Sequence, residues 1–266
     1  MATIELNGIE IHHEVHGDED APWLLNIGGS GGDLRRMFPE RSPLNAAFRV
    51  IHYDQRGLGQ STNPGGDFSM GDYADDAAAL IEAVAGGPCH VVGTSFGGMV
   101  ALNLAVRRPD LVDRLVLVCT SPGGEHASYP LHELAEMDPD TAFPIRMRNM
   151  DERWDPDADE PIPDLGVVYD VIVQQSQNPP TDDEADGLRR QLDARSHHDV
   201  VDRLGSIGHE TLICAGRFDG TAPLANSELM ADRMPAAHLE VFEGGHLLMY
   251  QDRRVFPTIV EFLQGA

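Results

Sequence analysis

The chain contains no lysine: all 19 of its basic residues are arginine, set against 44 aspartates and glutamates for a formal charge of −25. Without an ε-amine it has no Schiff-base chemistry, no Ser-Lys dyad and no P-loop. So acidic a chain also lacks the clustered cations that neutralise phosphates, which argues against a nucleic-acid partner. It disfavours highly anionic substrates too, unless arginines are focused at a cleft. Cysteine is scarce. Cys89, Cys119 and Cys214 lie in or beside apolar strand-like runs without C-x-x-C spacing, so they read as reduced core residues and not as bridges or metal ligands. No apolar run approaches the ~20 residues of a bilayer span, and no basic segment followed by an apolar core opens the chain. A cytoplasmic protein with no membrane partner is expected. Oligomeric state leaves no trace in the sequence.

What is present is enough for one large domain. A chain of 266 residues with 41% hydrophobic content buries roughly three-quarters of its unfolded surface. Two strands, Thr3 to Leu6 and Ile9 to Val15, flank the hairpin pair Asn7-Gly8. His12, His13 and His16 fall on the second, where adjacent side chains point to opposite faces, so they are expected as exposed edge histidines and not as a metal site. Strands follow at Trp23 to Ile27, Arg49 to Asp54, His90 to Val92 and Leu115 to Cys119, with a helical pattern from Met70 to Val84 stopped by Gly86-Gly87-Pro88. This alternation predicts an α/β fold with a mostly parallel, doubly wound sheet.

From about Gly123 to Gly205 the rhythm changes. Acidic, proline-rich loops (Asp155 to Pro163, Pro179 to Glu184) separate helical patterns, and Met147, Leu165, Val168, Val171 and Ile172 supply apolar faces that need covering. The expectation is a helical lid over residues 123–205, inserted into a core built from 1–122 and 206–266. Sheet rhythm resumes with a strand at Thr211 to Ala215, a helix at Ala225 to Met234, a strand at His238 to Phe242 and a closing helix at Val255 to Leu263.

The chemistry centres on Val91-Val92-Gly93-Thr94-Ser95-Phe96-Gly97-Gly98. Gly93 to Gly97 matches G-x-S-x-G, a tight strand-to-helix turn that lifts a serine oxygen above a parallel sheet. Glycines at 93 and 97 remove side chains where strand and helix pass closely. A serine hydroxyl is a poor nucleophile at neutral pH, so acyl transfer needs a neutral imidazole and a carboxylate to orient it. Gly216-Arg217-Phe218-Asp219 and Glu243-Gly244-Gly245-His246 each follow a predicted strand end, where sheets of this class place active sites. The order Ser95, Asp219, His246 is the one expected with this elbow. Gly28-Gly29-Ser30-Gly31-Gly32 lacks the G-x-G-x-x-G register; bare backbone N–H groups there suit an oxyanion hole better than a phosphate cradle. Asp54, also at a strand end, reads as a turn-stabilising carboxylate paired with a nearby arginine.

Taken together, Asp54-Gln55-Arg56-Gly57-Leu58-Gly59-Gln60-Ser61, the elbow, and the loops ending in Asp219 and His246 resemble the α/β-hydrolase family over nearly the whole chain. The resemblance implies Ser95, Asp219 and His246 as catalytic triad, with Phe96 N–H and Gly29 N–H as oxyanion donors. Ile27-Gly28 stands where many members carry His-Gly, a form similar to polyketide methyl esterases and enol-lactonases, and it leaves Gly28 or Ser30 as alternatives to Gly29. The implied reaction is hydrolysis of a small-molecule carboxylic ester or lactone with neither metal nor organic cofactor. Serine at 95, where dehalogenases and epoxide hydrolases of this fold carry aspartate, argues against those activities. Tyr53-Asp54-Gln55-Arg56-Gly57 is similar to proline iminopeptidases, for which Glu133, Glu136 or Glu152 would bind a substrate amine. Carbon–carbon bond hydrolysis of ring-fission products and a triad-retaining small-molecule receptor are further alternatives.

Overall fold

The computed structural model describes residues 2–158 and 181–265. Eight strands form a single sheet: β1 (Ala2–Leu6), β2 (Ile9–His16), β3 (Trp23–Ile27), β4 (Arg49–Tyr53), β5 (Cys89–Thr94), β6 (Val112–Val118), β7 (Thr211–Gly216) and β8 (Ala237–Phe242). Their spatial order is β1-β2-β4-β3-β5-β6-β7-β8. β1, β2 and β4 pair antiparallel, and every pairing from β4 through β8 is parallel. The hairpin turns at Asn7 (φ 51°) and Gly8 (φ 77°), the doubly left-handed backbone that an Asn-Gly pair tolerates.

Helices cover both faces, which is why the parallel strands read as unbroken apolar runs. α1 (Leu34–Met37), α2 (Met70–Leu80) and α3 (Phe96–Arg107) come first, and α2 continues as a π-helical turn over Ile81–Ala85. Gly86 then ends it with a left-handed φ of 74°. α2 starts on a reciprocal capping box between Ser69 and Asp72. α4 (Leu131–Ala135), α5 (Pro139–Met150) and α6 (Asp182–Ser196) lie between β6 and β7; α7 (Leu224–Arg233), α8 (Leu248–Gln251) and α9 (Val255–Gln264) follow. Because strand side chains alternate, Val91, Leu115, Leu117 and Ile213 belong to the layer covered by α2, α3 and α7, whereas Val92, Val116, Val118 and Cys214 belong to the layer that includes α9. Each fully buried aliphatic side chain in these two layers is worth roughly 1.5–3 kcal/mol of transfer free energy.

Several expectations change. β2 is an interior strand between β1 and β4, so His12 and His13 are buried instead of edge-exposed. Asp54 accepts backbone N–H groups from Leu34 (2.7 Å) and Gln60 (2.9 Å), while Arg56 turns away to a bidentate bond with Asp76 (2.7 and 2.8 Å). Asp54 therefore braces its loop without an arginine among the described residues. Asp182 to Glu184, expected as loop, is the first turn of α6, nucleated by a capping box between Thr181 and Glu184. The apolar face of Leu165, Val168, Val171 and Ile172 lies outside the described residues.

α6 rests on core loops. Gln191 accepts the Gly31 N–H (2.9 Å), Glu184 pairs with Arg35 (2.7 Å), and Gly187 lies so close to the Gly57 carbonyl that a Cβ would sit 1.8 Å from it. Among the described residues no helix is long and apolar enough to cross a membrane.

Candidate active site

The sheet reverses its winding between β3 and β5, and at such a switch point the loops leaving two neighbouring strands diverge and leave a crevice. Gly28 to Gly32 leaves β3 and Ser95 leaves β5, so the glycine-rich loop and the elbow are neighbours. Ser95 has φ 54° and ψ −115°, a backbone state costing of order 1–3 kcal/mol for a residue with a Cβ. The surroundings enforce it. A Cβ at Gly93 would lie 2.4 Å from the Gly97 carbonyl oxygen, and one at Gly97 would lie 2.1 Å from that of Ile27. Thr120 Oγ1 donates to the Ser95 carbonyl at 2.7 Å, and the Ser95 N–H donates to Val118 at 2.8 Å.

Ser95 is the N-cap of α3, yet its side chain does not cap the helix. Instead Ser95 Oγ lies 2.9 Å from His246 Nε2, and His246 Nδ1 lies 2.9 and 3.0 Å from the two carboxylate oxygens of Asp219. Asp219 is held in turn by the N–H groups of Thr221 (2.8 Å) and Ala222 (2.7 Å). Both ring nitrogens of His246 are thereby engaged. The cluster Cys119, Asp219 and His246 has metal-compatible spacing, but an imidazole bonded at both nitrogens has no free lone pair for an ion. Burial, reinforced by the charge of Asp219, pushes the Cys119 thiol well up, so it stays protonated.

The sequence-predicted residues converge on this crevice. The Cβ position of Gly29 is 3.7 Å from Ser95 Cβ. Gly31 and Gly32 spend their N–H groups on Gln191 and the Gly29 carbonyl, leaving those of residues 28–30 as the ones free to face a ligand. The Phe96 N–H starts α3, and its fully buried ring packs edge-on to Tyr73 with centroids 4.9 Å apart. Glu133, Glu136 and Glu152 are all exposed.

Periodicity missed the support that the inserted segment lends the crevice. Met150 and Asp151, at the end of α5, reach the histidine loop, and the Glu152 N–H donates to Phe218 beside Asp219 at 2.9 Å. The one available hint was Asp151-x-Arg153, because these two form an ion pair at 2.6 Å.

The family model described as the alpha/beta hydrolase fold matches residues 22–165, more than half of the chain. The chain belongs to the α/β hydrolase family. This α/β hydrolase is 28% identical over 275 residues to an Agrobacterium fabrum protein provisionally named carbamate hydrolase RutD, spanning 96% of this chain and 99% of that one. Among solved structures it resembles the enol-lactonase from Burkholderia xenovorans LB400, with a TM-score of 0.81 at 22% identity, covering 99% of this chain and 100% of the other. It also resembles a meta-cleavage product hydrolase from Pseudomonas fluorescens IP01, with a TM-score of 0.80 at 22% identity, covering 100% and 98%. At those identities the two structures speak for the fold.

Proposed function

We propose that this α/β hydrolase cleaves a carboxylic ester or lactone of a small molecule through an acyl-enzyme on Ser95. The reading rests on one observation, the chain of contacts Ser95 Oγ to His246 Nε2 at 2.9 Å and His246 Nδ1 to Asp219 at 2.9 Å. As Oγ bonds to the substrate carbonyl carbon, Nε2 takes its proton, and the Asp219 carboxylate stabilises the imidazolium and fixes the tautomer. The carbonyl electrons move onto oxygen, to which the N–H groups of Phe96 and Gly29 donate hydrogen bonds; one such donor is typically worth about 3 kcal/mol in the transition state. Imidazolium then protonates the leaving alkoxide. Water, deprotonated by His246, attacks the acyl-enzyme and restores the serine. No step calls for a metal or organic cofactor.

We also read residues 123–205 as a lid that bounds the acyl and leaving-group pockets, supported by the seating of α6 on the Gly31 and Gly57 loops. The exposure of Glu133, Glu136 and Glu152 speaks against an amine-binding acid cluster of the aminopeptidase kind. The RutD-named relative brings carbamates into the candidate range, because they present the same carbonyl centre.

Turnover decides the reading. The protein is incubated with p-nitrophenyl acetate and butyrate, a carbamate ester and an amino-acyl nitroanilide, alongside labelling by a fluorophosphonate. Multiple turnovers on esters, with labelling abolished in Ser95→Ala, are expected. Anilide cleavage without ester cleavage, tight binding without turnover, or labelling that survives in Ser95→Ala would each overturn it.

A further inference from the structure

A small, partly open pocket lies one helical turn along α3 from Ser95. It has a volume of about 60 Å³ and is lined by Met99 of α3, Ser121, Ser128, His132 of α4, and Arg195 and His198 at the end of α6. It adjoins the backbone of the elbow. The Met99 N–H bonds the Ser95 carbonyl, and Ser121 follows Thr120, whose hydroxyl donates to that same carbonyl.

Arg195 is 5% exposed and has no ion-pair partner among the described residues. Its Nη2 donates to Ser128 Oγ at 2.5 Å, and its Nε has no hydrogen-bond partner. Burial alone pulls its pKa down to about 10, with no neighbouring carboxylate offsetting the loss of water. A buried cation left so exposed electrostatically costs several kcal/mol, and proteins normally pair it. The chain carries 44 acidic side chains, and among the described residues none of them pairs with Arg195. On the same wall the His132 Nδ1 atom has no hydrogen-bond partner among the described residues, while the partly exposed ring faces Glu133 through Nε2 at 3.9 Å. The third basic group is already committed to protein partners. His198 Nδ1 lies 3.1 Å from Asn103 Nδ2 and Nε2 lies 3.1 Å from the Ser121 carbonyl, so the ring accepts at one nitrogen and donates at the other as a neutral, fully engaged side chain.

We propose that this cavity is a carboxylate-binding subsite, in which the Arg195 guanidinium carries the counter-charge and His132 and Ser128 complete the cradle. Its size suits a carboxylate group and little more. A guanidinium presents its N–H groups in a planar fork that matches a carboxylate. The locally focused arginine also resolves how so acidic a protein would admit an anion. The carboxylate has two sources, a free small acid or the far end of a substrate acyl chain; only the second rests on the hydrolase reading above.

The experiment separates them. Thermal melting of Ser95→Ala, which needs no hydrolysis, is followed in sodium acetate and in sodium chloride of equal ionic strength, with and without Arg195→Met. Expected is a saturable acetate-dependent rise in Tm that vanishes with Arg195→Met. In chloride the Arg195→Met change should leave Tm equal or higher, because it removes an uncompensated buried charge. Catalytically, Arg195→Met in the otherwise unaltered enzyme should lower the ratio of kcat/KM for mono-p-nitrophenyl succinate over p-nitrophenyl butyrate at least tenfold. Acetate protection dependent on Arg195 with an unchanged ester ratio assigns the site to a free carboxylate. Absence of turnover on both esters sinks the hydrolase reading and leaves the melting result to decide the subsite. Melting unaffected by acetate together with an unchanged ratio, or Arg195→Met melting well below its parent in chloride, overturns the proposal.

Discussion

The Met150 carbonyl accepts the backbone N–H of His246 at 2.7 Å, tying the end of α5 to the loop that carries the candidate base. Beside that bond, Gln251 accepts the Gly245 N–H at 2.7 Å and donates to Asp151 at 3.0 Å. Asp151 is fully enclosed, and Arg153 and Gln251 hold its carboxyl below the usual range against the opposing effect of burial. The histidine loop is thus clamped from both sides by groups that never approach the serine.

Gln251→Ala removes two of these bonds at once and leaves the Gly245 N–H without its partner. The expected result is a fall in kcat of about tenfold on p-nitrophenyl butyrate, equivalent to ~1.4 kcal/mol of barrier. KM should change little, because the loop and not the substrate pocket has moved. Gln251→Glu keeps the acceptor for Gly245 but sets a carboxylate against the buried Asp151 carboxylate, so it should not recover the loss at neutral pH. An unaltered kcat in Gln251→Ala would show that the loop holds its geometry without the clamp.

Asp219→Asn tests the orienting carboxylate. An amide cannot serve the Thr221 and Ala222 N–H groups and the imidazole Nδ1–H with the same set of acceptors, so the histidine is driven toward the tautomer that cannot take the serine proton. A loss of ~10³–10⁴ in kcat is expected, read by steady-state kinetics on a variant whose fold is checked by circular dichroism. A loss below tenfold would remove Asp219 from the mechanism.

Gly97→Ala introduces a Cβ 2.1 Å from the Ile27 carbonyl oxygen, a backbone atom of β3 that cannot swing aside. The expected outcome is a soluble yield near zero or destabilisation of more than about 3 kcal/mol in urea unfolding, at the large end of single-substitution effects. Gly87→Ala, with nothing within 4 Å of the added Cβ, serves as the comparison and should change stability by less than about 1 kcal/mol.

Stability should fall as the solution is acidified from about pH 6.5 to pH 4. Burial lowers the pKa of both His198 and His52 to about 4, from an ordinary 6.5. Between those values the unfolded chain binds protons that the folded chain refuses, so each histidine stabilises the fold above pH 6.5 and loses that contribution on acidification. The full swing is on the order of 3 kcal/mol per histidine. Tm measured at half-unit intervals from pH 7.5 to 4 should drop across this window, and less steeply in His198→Asn. The Asp252 carboxyl, lowered to about 2 mainly by Arg254, acts only below the window. Parallel curves for the two proteins would show that His198 does not drive the slope.

Much of the fold and the candidate site was legible in the sequence because their determinants are local. Gly93 and Gly97 set a turn that few residues permit, Asn7-Gly8 set a hairpin, and unbroken apolar runs such as Leu115 to Val118 mark strands covered on both faces. Each of these signals is contained within a few neighbouring residues, as is the placement of Asp219 and His246 just past strand ends. What the tertiary structure alone decided depends on which distant segments meet. His12 and His13 are buried because β2 lies between β1 and β4; Arg56 serves Asp76, 20 residues away, in preference to Asp54. Among the described residues Arg195 has no carboxylate partner, which the fold and not any spacing along the chain decides. A sequence states which charges exist; whether one of them is paired is settled only when the chain closes around it.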